Sequence, residues 1–163
     1  LNIPSLTLCM DDPKEIGADR LVTALGAVSE YQRHCLIVDS GTALTFCHVT
    51  NDFHYYGGMI FPGMGIASKA LHEYTAKIPL IYVIKQSGLF GKSTQEAVQK
   101  GLYFGYVDMI NGIISRYRSE CEDLFVVGTG RGLSVLSNDL NIDVFDPMLT
   151  LKGLAVCTDY LKC

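Results

Sequence analysis

Two short stretches hold the side chains best able to do chemistry: Gly17-Ala18-Asp19-Arg20 and Asp39-Ser40-Gly41-Thr42. In the second, a carboxylate, two hydroxyls and bare backbone N–H groups separate two apolar runs, so they fall at a tight turn between buried strands. Such a turn suits a phosphate or a metal ion. The plainer alternative for Asp39 is an Asx turn, in which the carboxylate closes its own backbone. In the first stretch a carboxylate and a guanidinium adjoin at the start of a helix. They cannot both face a core, so at least one points into a cleft or solvent. A local ion pair between Asp19 and Arg20 is the plainer alternative there.

The elements that must position these groups follow from periodicity and turn chemistry. Residues 1–15 give a short apolar alternation and then a loop at Asp11-Asp12-Pro13. Within 16–31, Leu21, Leu25 and Val28 recur at helical spacing, which predicts a helix packed on a sheet. Strands are predicted at 35–39, 43–50 and 54–61, joined by a glycine turn and by Asn51-Asp52, hence an antiparallel meander. Pro62-Gly63 ends the third strand, a helix follows at 66–74, and 78–83 reads as a short extended stretch before a loop. A long helix is expected at 93–118, with Ser93 or Thr94 as N-cap. Its Gly101, Gly105 and Gly112 are costly in a helix interior unless a neighbour approaches closely, which points to tight helix packing or a subunit interface. A strand at 124–128, a short helix at 133–137, a strand at 144–145 and a closing helix at 149–161 complete the chain. This order predicts an α/β domain with a mixed central sheet flanked by helices. It fits the ribonuclease H-like superfold of acetate and sugar kinases, Hsc70 and actin.

With 163 residues, 48% of them apolar, the chain can bury one good core. A net charge of −4 with 18% charged residues leaves no basic stripe for DNA or RNA, so nucleic-acid binding is not expected. No run approaches the roughly 18 residues needed to cross a bilayer, and no leader is legible, so a cytoplasmic protein without membrane partners is expected. The six cysteines lack metal-ligand spacing and read as reduced, mostly buried thiols. His34, His48, His54 and His72 show no ligand-like pairing and are assigned to packing or solvent. Phe53, Tyr55 and Tyr56 are assigned to sheet packing.

Four motifs in fixed order, GADR (17–20), DSGTALT (39–45), GGMIFPG (57–63) and GKSTQEAVQKG (91–101), with LTLKGL (149–154) near the end, resemble the type III pantothenate kinases. The resemblance covers the chain from about residue 3 onward. It implies ATP-dependent phosphorylation of pantothenate to 4'-phosphopantothenate, the first step of coenzyme A synthesis. Asp19 would be the proton acceptor, as phosphoryl transfer to an alcohol requires. Gly17, Ala18 and Arg20 would line the pantothenate pocket. Thr94, otherwise a plain N-cap, would touch substrate, and a helix N-terminus suits the substrate carboxylate. Asp39 would bind a monovalent cation, K+ or NH4+, that offsets phosphate charge. Thr42 would meet the ATP phosphates, with Mg2+ arriving with ATP. A homodimer with its pocket at the subunit interface is implied, and GGMIFPG reads as site architecture.

The chain departs from the family pattern in two places. Family members commonly carry a Thr-Gly-Gly-Leu turn on the adenosine side, whereas this chain has Thr129-Gly130-Arg131-Gly132-Leu133. Arg131 then either contacts a phosphate or obstructs the nucleotide path. The Asp-x-Gly-Asn phosphate loop that opens family members is absent. Residues 1–34, with the catalytic helix, are therefore expected as the end of a first half-domain, and residues 35–163 as the second ribonuclease H-like half-domain. A longer parent protein is expected to supply the phosphate-loop half, ahead of a split subunit or a natural truncation. The alternative functions are an inactive family member acting as an accessory or regulatory protein, and a kinase of the same superfold for another small alcohol or carboxylate.

Overall fold

The computed structural model describes residues 6–160. The predicted meander is present: β2 (Cys35–Ser40), β3 (Ala43–Val49) and β4 (His54–Pro62) pair antiparallel, with Asp39 opposite Thr45. β5 (Phe125–Thr129) adds parallel to the other side of β2, which sets Asp39 beside Thr129, and β6 (Val144–Phe145) follows parallel to β5. β1 (Thr7–Leu8) lies parallel to β4 at the far edge, so one mixed sheet runs β1-β4-β3-β2-β5-β6.

Successive side chains of β2 face opposite sides of the sheet, and both sides are covered. Cys35 and Ile37 join a core with α1 (Ala18–Tyr31) and α4 (Leu149–Tyr160), while Leu36 and Val38 pack beneath α3 (Thr94–Glu120). Burial on both faces explains why β2 is a continuous apolar run rather than an alternating one. Each large aliphatic chain fully buried here, such as Leu25 or Ile110, contributes about 1.5–3 kcal/mol.

Helices α1 and α4 approach most closely at two glycines. A Cβ on Gly26 would lie 2.6 Å from the Leu149 carbonyl oxygen, and one on Gly153 would run into the Val22 carbonyl. Polar bonds fasten the same crossing. The Thr23 hydroxyl donates to the Asp19 carbonyl and meets the Thr150 hydroxyl, each at 2.8 Å. Lys152 donates to Glu30 at 2.6 Å and reaches Asp146 at 2.9 Å, and Asp146 also accepts from the Tyr31 hydroxyl at 2.9 Å. These contacts hold α1 against α4, and the Thr23 bond ties the crossing to the first turn of α1, where Asp19 sits.

Several expectations are corrected. The helix placed at 66–74 is α2 (Met64–Glu73), entered directly from Gly63 as N-cap. Residues 78–83, expected as a short extended stretch, lie outside the sheet. Their backbone is held by side chains instead: the Ser68 hydroxyl donates to the Ile81 carbonyl (2.5 Å) and accepts from its N–H (3.1 Å). The short helix at 133–137 is two 3-10 turns, Leu133–Val135 and Ser137–Asp139. Of the two roles expected for Gly101, Gly105 and Gly112, tight packing has no support among the described residues, none of which lies within 4 Å of an added Cβ. The start of the apolar alternation at 1–5 and the end of the closing helix at 161–163 lie outside the described residues.

Candidate active site

Asp19 is exposed on the first turn of α1, behind the N-cap Gly17, whose backbone is extended (φ −60°, ψ 135°). Its carboxylate stands at the positive end of the helix dipole. Arg20 is half-buried and turns toward β3 and β4, where burial raises the Cys47 thiol and the Tyr55 hydroxyl and the Arg20 charge partly offsets both shifts. The Tyr55 hydroxyl donates to Cys47 Sγ at 3.2 Å. Among the described residues no ion pair joins Asp19 to Arg20, so the carboxylate is left free for another partner.

Asp39 is half-buried at the end of β2. Burial pushes its carboxyl above the usual carboxylate range, and the negative charge of Asp19 pushes it further. The two aspartates, far apart in sequence, thus lie within electrostatic reach of each other. No hydrogen-bond donor among the described residues steadies the Asp39 carboxylate, and the Asx turn is not formed. Asp12 shows the contrast, since it accepts from the Lys14 N–H at 2.9 Å. A desolvated carboxylate without donors beside a second negative charge fits a weakly held monovalent cation. A caged divalent ion is a poorer fit, because the described residues contain no group of three or more His, Cys, Asp or Glu able to hold a metal.

Three turns are stitched together around Thr42. The Gly132 N–H donates to the Ser40 carbonyl (2.8 Å), the Gly63 N–H to the Thr42 carbonyl (3.0 Å), and the Gly41 N–H to the Ala43 carbonyl (2.9 Å). Gly130 needs its left-handed backbone (φ +86°), and a Cβ there would meet the Asp39 carboxylate and sit 2.7 Å from the Ser40 carbonyl. The turns open onto a cleft of about 650 Å³. Gly41, Thr42, Arg131 and Gly132 form its polar lining, and Met64, Ile81, Val83 and Val135 its apolar wall. Asp19 and Asp39 are not among its lining residues; Asp39 borders the cleft through the Gly130 and Ser40 backbone.

Thr94 is exposed in the first turn of α3. Ser93 is the N-cap: its hydroxyl accepts from the Glu96 N–H (3.2 Å), while the Glu96 carboxylate accepts from the Lys92 N–H (2.7 Å). Thr94 is therefore spared the capping role. It belongs to α3, on the face of the sheet opposite α1, so one chain does not bring it to Asp19 and Arg20. Sequence reasoning missed Ile81, Val83 and Ser68 as builders of the cleft. The available signal was an apolar run, 78–83, with no strand to pair with.

An α/β protein with a mixed sheet, a half-buried aspartate at the end of a central strand and a turn-built cleft is what fold and site define. The same fold occurs in a Campylobacter jejuni protein assigned to the Baf family of transcriptional activators. It matches with a TM-score of 0.66 and 20% identity, over 98% of this chain and 71% of that one. The family model for type III pantothenate kinase matches residues 2–116. The chain belongs to the type III pantothenate kinase family.

Proposed function

We propose that the protein transfers the γ-phosphoryl group of ATP to the primary hydroxyl of pantothenate, giving 4'-phosphopantothenate and ADP. The observation that carries this reading is the place of Asp39, at the end of β2 next to the stitched turn at Ser40–Thr42 and within electrostatic reach of Asp19. Asp19 accepts the hydroxyl proton as the oxygen attacks the γ-phosphorus, and the bond to the bridging oxygen breaks to release ADP. Thr42 donates to a phosphate oxygen, and Mg2+ arrives with ATP. Asp39 would hold a monovalent cation, which would supply positive charge against the triphosphate.

Gly17, Ala18 and Arg20 form one wall of the pantothenate pocket. Because Thr94 lies across the sheet from them, we place it in the pocket of a second copy, in a homodimer. The open glycine face of α3 supports that arrangement. The meander followed by two parallel strands supports the ribonuclease H-like assignment, with residues 35–163 as one half-domain and the catalytic helix joined to it from 1–34.

A coupled assay of ADP release, run with pantothenate and with a panel of other small alcohols and carboxylates, tests the reading. Release that depends on pantothenate supports it. Release with another substrate reassigns the enzyme, and no binding of pantothenate or ATP favours the accessory role.

A further inference from the structure

We infer that Arg131 grips the anionic tail of the nucleotide and makes the cleft selective for nucleotides with a polyphosphate. This rests on the nucleotide reading of the cleft given above. Among the described residues that line the cleft, Arg131 is the only charged one. Its guanidinium has no carboxylate partner among the described ion pairs, and its side chain is exposed.

The backbone beneath it is held firmly. Gly132 bonds to the Ser40 carbonyl, Gly130 packs on the end of β2, and the Ser134 hydroxyl donates to the Arg131 carbonyl at 2.8 Å. The anchored backbone fixes where the unpaired guanidinium is presented, so only the side chain has to be ordered when an anion binds. The guanidinium fork matches two phosphate oxygens, and a phosphate at Gly41 and Thr42 lies on the neighbouring, stitched turn.

The cleft's other lining residues are uncharged, and Asp39, which borders it at the Ser40 turn, repels a triphosphate. Arg131 therefore supplies the positive charge that this lining otherwise lacks. The apolar wall at Ile81, Val83 and Val135 is left to take the base, which a nucleoside and a nucleotide share.

Calorimetric titration of the protein with ATP, ADP, AMP and adenosine, for wild type and for Arg131→Ala and Arg131→Lys, tests the assignment. The expected result is a roughly tenfold or greater loss of ATP affinity in Arg131→Ala. Adenosine affinity is unchanged, Arg131→Lys lies between, and the salt dependence of ATP binding becomes shallower. Equal or tighter ATP binding by Arg131→Ala, with the wild-type melting curve retained, overturns the inference and makes Arg131 an obstruction instead. Wild-type protein that binds neither ATP nor adenosine overturns the nucleotide reading itself, and this inference with it.

Discussion

A half-buried carboxylate without a donor is a standing cost to the fold, and Asp39 bears one. Its folded pKa lies above the unfolded value, so the folded state holds the proton more tightly. The associated stability is present at acid pH and lost as pH rises through the folded pKa. Asp39→Asn should therefore melt at a higher temperature than wild type at neutral pH, with the gap closing toward acid. Added K+ should raise the melting point of wild type and not that of the variant. Identical pH and K+ dependence in the two proteins would contradict the assignment. The sequence made Asp39 legible as a strand-end residue, since an apolar run followed by Ser-Gly-Thr has few other readings. That it lacks a donor and lies within electrostatic reach of Asp19 depends on how α1 docks against β2, which no local pattern encodes.

At the scale of elements, glycines that look alike in sequence do opposite work. Gly153 lets α4 touch the backbone of α1, whereas Gly101, Gly105 and Gly112 face open space. Gly153→Ala should cost about 3 kcal/mol in urea unfolding, because the methyl group meets backbone that has no room to yield. Gly101→Ala should gain up to about 1 kcal/mol, from helix propensity alone. A Gly153→Ala variant as stable as wild type would refute the close crossing. The meander, α1 and α3 were readable because hairpin turns and helical spacing are local signals. The cleft wall at 78–83 was not, since the Ser68 and Gln99 side chains hold it in place of a strand ladder.

For the whole molecule, α3 presents its open glycine face, and the segment before it exposes Leu80, Tyr82, Ile84, Leu89 and Phe90. Monomers seldom leave so much apolar surface uncovered. Gly105→Glu should yield a monomer by sedimentation with an unchanged far-UV spectrum and weakened pantothenate binding, because Thr94 would no longer reach the partner's pocket. Wild-type protein that sediments as a monomer would contradict the shared pocket. The central claim is that Asp19 takes the proton from the acceptor hydroxyl, and the Asp19→Asn variant in the pantothenate-dependent ADP-release assay tests it most directly. The account predicts a turnover lower by roughly 10²- to 10⁴-fold with ATP binding retained; undiminished turnover in that variant would contradict it.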